Sequence, residues 1–187
     1  MASHHPISSA TGLRLAAHPT FRTNARIYAS DAVIDLLTGV AVERRVAVVV
    51  DVDALEHGGT TRIDRVTRMA LDALCHANVD VVLLVRHQRE RAALLRAELA
   101  RSWCCERGDP AWTLARLRER LPGVPLIAIS DDLDLLERLS GRDRGIAIGP
   151  IGSATRGNIA PSGHHNVRAA LWWIVDVRWK AGLVAWT

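Results

Sequence analysis

Val46-Ala47-Val48-Val49-Val50-Asp51-Val52-Asp53 is the stretch on which the reading of the fold turns. Five apolar residues, four of them valine, read as a strand buried on both faces, the kind that parallel sheets use. Two carboxylates then stand two residues apart where the strand leaves the sheet, so Asp51 and Asp53 point the same way. Like charges that close call for a metal ion or a shared proton. The carboxyl end of a parallel strand is also where open α/β sheets bind ligands. The plain alternative is a strand exit whose acids face water.

Outward from this strand, helical and strand patterns alternate. Upstream, Ala29-Ser30-Asp31 leading into Val33, Ile34, Leu36 and Leu37 predicts a short capped helix. Downstream, a glycine-containing loop over 56–61 precedes Ile63, Val66, Ala70, Leu74 and Ala77 at helical spacing. Residues 79–85 read as a second buried strand, Ala92, Leu95 and Leu99 as a helix, and 102–105 as a short strand. Leu114, Leu117 and Leu121 mark a helix closed by Pro122-Gly123, and 125–129 a strand running into Asp131, Asp132 and Asp134. A short helix to Leu139, a strand over 145–148 and a helix driven by Val167, Leu171, Ile174 and Val175 complete the series. Such alternation predicts an α/β three-layer sandwich on a mostly parallel, Rossmann-like sheet. Residues 1–28, rich in Ser, His, Thr and Pro without periodicity, are expected to form a flexible arm, and 29–187 a single domain.

Composition narrows the function classes. A chain of 187 residues with 49% hydrophobic and 24% charged residues is ordinary for one soluble globular domain. The net charge of +4 rests on arginines spread over helices, with Lys180 the sole lysine, so it is no nucleic-acid footprint. No apolar run reaches the ~18 residues of a membrane span, and the N-terminus lacks the apolar core of a signal peptide. Cys75, Cys104 and Cys105 have neither metal-ligand spacing nor a disulfide framework, which fits a reducing cytoplasm. Adjacent Cys104 and Cys105 should face opposite sides of a strand, placing one of them in the core.

The chemistry gathers at two strand ends. Asp51/Asp53 and Asp131/Asp132 follow separate strands at one edge of the expected sheet, and such hard oxygen ligands suit Mg²⁺. Here the chain resembles the haloacid dehalogenase superfamily, and within it the core of trehalose-6-phosphate phosphatases. VAVVVDVDAL is similar to that family's strand plus DxD. PLIAISDDLDLLERL is similar to its strand plus GDD, with Ser130 in the glycine's place. After GIAIG, the stretch Thr155-Arg156-Gly157-Asn158-Ile159 through Val167 and Leu171 keeps the trehalose phosphatase spacing. The likeness covers roughly residues 44–178. It implies that Asp51 attacks phosphorus and forms an aspartyl-phosphate, and that Asp53 serves as general acid and then base. It further implies that Asp131, with Asp51 and the Asp53 carbonyl, holds Mg²⁺, with Asp132 and Asp134 beside them.

The departures are specific. Ala54-Leu55 replaces the family's Gly-Thr, and the phosphate-binding Ser or Thr after the second strand falls on Val85, followed by Arg86 and His87. The family's lysine aligns near Asp109-Pro110, where none exists; Arg86, Arg116 or Arg118 are the candidate replacements. Only about 25 residues separate Val85 from Pro110, too few for a sizeable cap. The expected ligand is a phosphorylated small molecule or macromolecule. Trp172, Trp173 and Trp179 cannot share one helix face, so an exposed tryptophan could serve a protein partner or a second copy of the chain. His164-His165 read as a solvated helix start, and His57-Gly58-Gly59 as a turn. Two other function classes stay open: a degenerate member kept for binding or regulation, and a PIN-like metal-dependent nuclease.

Overall fold

A computed structural model describes residues 31–56, 63–148, 159–162 and 167–184. The expected arm over 1–28, His57-Gly58-Gly59, the Thr155–Asn158 stretch and His164-His165 lie outside the described residues. In chain order the elements are α1 (Asp31–Ala41), β1 (Ala47–Asp51), a 3₁₀ turn (Asp53–Glu56), α2 (Arg65–His76), β2 (Asp80–Val85), α3 (Arg89–Glu98) and β3 (Ser102–Glu106). Then follow α4 (Pro110–Arg120), β4 (Leu126–Ser130), α5 (Leu133–Glu137), β5 (Arg144–Ile148), β6 (Ile159–Ser162) and α6 (Val167–Lys180).

All six strands run parallel in the order β3-β2-β1-β4-β5-β6. The chain therefore winds from β1 out to β3, crosses back over the sheet, and continues from β4 outward to β6. The reversal falls between β1 and β4, and such a switch point opens a crevice at the carboxyl ends of the two strands.

Period-two alternation sorts the strand residues into two cores. Val48, Val50, Val81, Leu83, Ile127, Ile129 and Ile146 face one side, packed with Leu37 of α1, Leu71 and Leu74 of α2, and Leu171 and Ile174 of α6. Ala47, Val49, Val82, Leu84, Leu126 and Ala128 face the other, against Leu117 of α4 and Leu135 and Leu136 of α5. Each fully buried leucine or valine contributes roughly 1.5–3 kcal/mol. Cys105 is buried and Cys104 only partly so, as their opposite facing requires.

Local chemistry sets the element ends. Gly123 ends the turn after α4 with φ +70°, a conformation costly for a side-chain-bearing residue. Asp109 caps α4 by accepting from the Ala111 and Trp112 amides at 3.1 Å, with Pro110 at the first helical position. Asp64 caps α2, accepting from the Val66 and Thr67 amides at 2.8 and 3.0 Å and from the Thr67 hydroxyl at 2.7 Å. Partial burial alone would raise the Asp64 carboxyl, but these hydrogen bonds hold it below its ordinary value. Its contribution is thus present above the unfolded carboxylate pKa and lost as pH falls through the depressed folded value. Asp64→Ala is expected to cost about 1 kcal/mol near neutral pH, with the difference shrinking in acid; urea unfolding at several pH values measures it.

Two features lie outside what the sequence patterns predict. The sheet gains β6, a four-residue edge strand containing Pro161, whose missing N–H is tolerated only at an edge or a strand end. Arg178, on α6, is 1% exposed and has no carboxylate among its hydrogen-bond acceptors. Its guanidinium donates to the carbonyls of Ala41 (2.6 Å), Glu43 (3.0 Å) and Ala77 (2.8 Å), capping the C-terminal ends of α1 and α2 where the helix dipoles are negative. Trp172, Trp173 and Trp179 divide as expected: Trp172 is buried, Trp173 half-buried and Trp179 exposed.

Candidate active site

The β1–β4 register pairs Val50 with Ile129, so the next residues, Asp51 and Ser130, emerge side by side at the switch point. Both are fully buried. The Ser130 hydroxyl donates to Asp51 Oδ2 at 2.9 Å, and its oxygen accepts the Asp132 amide at 3.0 Å. Asp51 Oδ1 accepts the Asp53 amide at 3.1 Å, which turns the chain out of the sheet. Asp53 Oδ2 accepts the Arg86 amide at 3.1 Å, whereas its Oδ1 is buried with no hydrogen-bond partner. Asp132 caps α5 through the Leu135 amide at 3.1 Å, and Asp131 is exposed at the crevice rim.

The cation of the site is Arg107, one residue past β3. Its amide donates to Val85 O at 3.0 Å, prolonging the β2–β3 ladder. Its side chain then reaches across the end of β2 to the acids that follow β1 and β4. Nη1 donates to Asp51 Oδ2 and stands 3.5 Å from Asp131 Oδ1, while Nη2 donates to Asp132 Oδ2 at 2.9 Å. Burial pushes the Asp51 carboxyl above its ordinary pKa, against the pull of Arg107 and the Ser130 hydroxyl. Arg107 is held charged: its burial is outweighed by Asp51, Asp132 and Asp131.

Arg107 thus brings Asp51, Asp131 and Asp132 around one guanidinium, and of the three candidate cations only Arg86 lies near them. Arg116 pairs with Glu119 and lies over the Trp112 ring, 5.9 Å from its centroid, not over the acids. Arg118 pairs with Asp143 and donates to Val124 O at 2.6 Å, at the amino end of β4. Arg86 contributes its amide to Asp53 and lines the crevice; His87 is exposed beside it. Asp134 is exposed on the first turn of α5 and lines the crevice too. Arg107 and Ser130 went unassigned as site residues; the signal that could have found them was strand register, which sets Ser130 against Asp51 and Arg107 at a third parallel strand end.

A groove of about 700 Å³ opens above this cluster, lined by Arg86, Arg107, Gly108, Asp131, Asp132 and Asp134 among others. Between Val85 and Pro110 the chain forms only α3 and β3. Among the described residues no three His, Cys, Asp or Glu side chains are grouped to hold a metal ion. The donor set nevertheless suits Mg²⁺ in kind: carboxylates from two strands already hold one positive centre between them, and Mg²⁺ takes one or two carboxylates beside waters and phosphate.

The chain is similar to the solved structure of a Legionella pneumophila protein described as a HAD superfamily (subfamily III A) hydrolase, with a TM-score of 0.55 over 82% of this chain and 93% of that one. The fold is the haloacid dehalogenase fold. At 18% identity the likeness concerns architecture, and the trehalose phosphatase tail falls largely outside the described residues. No protein-family model matches the sequence, and no curated protein matches it. No helix among the described residues is long and apolar enough to cross a membrane.

Proposed function

We propose that this chain hydrolyses phosphomonoesters by way of an aspartyl-phosphate on Asp51. The observation that supports this most is the convergence of Asp51, Asp53, Ser130, Asp131, Asp132 and Arg107 at the single switch point of a haloacid dehalogenase fold. A carboxylate oxygen of Asp51 attacks phosphorus, and the ester oxygen leaves with a proton from Asp53. Asp53 then takes a proton from water, whose oxygen cleaves the acyl phosphate and returns Asp51 as carboxylate. Ser130 orients Asp51, and the Arg107 fork supplies the positive charge that the missing lysine would carry. Asp51 and Asp131, with the Asp53 carbonyl, are the groups that would hold Mg²⁺, which when bound neutralises charge on the phosphoryl oxygens. With only α3 and β3 between Val85 and Pro110, the groove suits large phosphorylated substrates or a partner that covers it.

The protein incubated with Mg²⁺ and a generic aryl phosphate should show turnover that Asp53→Asn lowers by about 10²–10⁴. Silence across a panel of phosphate esters would instead support a second reading, a binding or regulatory protein. That reading is favoured by the complete burial of Asp51 beneath Arg107, and by Val85 where a hydroxyl would bind phosphate.

A further inference from the structure

One guanidinium occupies the point on which both proposed metal-holding carboxylates converge. The Arg107 side chain is 9% exposed, the Asp51 side chain 0%, and Nη1 alone serves Asp51 and Asp131. Two cations cannot use the same carboxylate lone pairs. We propose that Arg107 is a displaceable internal cation, competing with a divalent ion for Asp51 and Asp131 and yielding that place when a phosphate-type dianion binds in the groove. The inference rests on the phosphatase reading of the site and adds a loading rule to it.

The anion has its own support. Arg107 Nε is buried with no hydrogen-bond partner, so the guanidinium holds a donor in reserve, and Arg86 lines the same groove. A tetrahedral dianion accepts two parallel N–H bonds from an arginine fork and so replaces the carboxylates as its partner. Once Arg107 has moved to the dianion, Asp51 and Asp131 face each other without a counter-charge, and a divalent ion meets that need. Each ligand binding alone must break the Arg107 pairs. When both bind, the pairs are broken once. Metal and phosphate therefore load with positive coupling, of the order of 5–150-fold.

Calorimetric titration of the full chain with Mg²⁺, with and without inorganic phosphate, tests this. Phosphate should tighten Mg²⁺ binding to the wild type about tenfold or more. Arg107→Met should bind Mg²⁺ more tightly than the wild type when phosphate is absent, and phosphate should then tighten it by a smaller factor than in the wild type. Asp132→Asn keeps the oxygen that caps α5 but weakens the anchor on Nη2, so it should shift Mg²⁺ affinity the same way, and it serves if Arg107→Met does not fold. Equal Mg²⁺ affinity in the wild type and the folded variants, or no Mg²⁺ binding by any of them, overturns the proposal. Aryl phosphate turnover alongside equal affinities removes this inference and leaves the phosphatase reading standing. Tighter Mg²⁺ binding in the variants without hydrolysis of any ester does the reverse.

Discussion

Asp51→Asn is expected to abolish phosphatase turnover and, near neutral pH, to make the protein more stable than the wild type. Removing a nucleophile on which a covalent intermediate depends costs on the order of 10⁴–10⁶ in rate. Its effect on stability has the opposite sign because of where the carboxylate sits. Burial raises the Asp51 pKa in the folded chain, and the attraction of Arg107 and the hydrogen bonds from Ser130 and Asp53 only partly offset this. The native state then binds that proton more tightly than the unfolded chain does. Stability from this group is complete below the unfolded pKa of about 3.8 and is lost as pH rises through the higher folded value. An amide of the same shape carries no such charge, and Arg107 keeps Asp131 and Asp132 as partners. Urea midpoints of the two proteins should converge below pH 4 and separate in favour of Asp51→Asn toward pH 7. A less stable variant at pH 7 would mean that the Arg107 pairing outweighs the burial.

Arg178→Met should be the most damaging substitution away from the site. Methionine fills a similar volume, so the change isolates two buried carbonyls and one part-buried one at two helix ends rather than opening a cavity. Each unsatisfied buried group costs about 1–3 kcal/mol, and partial relaxation brings the expected total to roughly 3–5 kcal/mol. In a chain of this length that corresponds to a Tm drop on the order of 10 °C. Arg178→Lys, able to serve fewer carbonyls from a single nitrogen, should fall between. A drop of only a degree or two in Arg178→Met would show that water or a shifted helix end replaces the guanidinium.

These two residues also mark what was legible in the sequence. Strands announced themselves because burial on both faces demands unbroken apolar runs, as in 46–50 and 126–129. The acids were conspicuous because a charge directly after such a run has little structural reason to be there. Ser130 and Arg107 were harder, because their roles depend on which strands lie side by side and how far one side chain reaches across. Local periodicity carries neither. Arg178 reads as the polar interruption of an amphipathic helix, and only the docking of α6 against α1 and α2 turns it inward. β6 escaped notice because proline in a four-residue run argues against a strand unless that strand is outermost.

Arg178 binds carbonyls that precede it by 101 to 137 positions. During synthesis on the ribosome, the ends of α1 and α2 must wait for more than a hundred further residues before their carbonyls find this donor. A nascent chain halted ahead of Arg178 would therefore present those helix ends unsealed to chaperones and proteases.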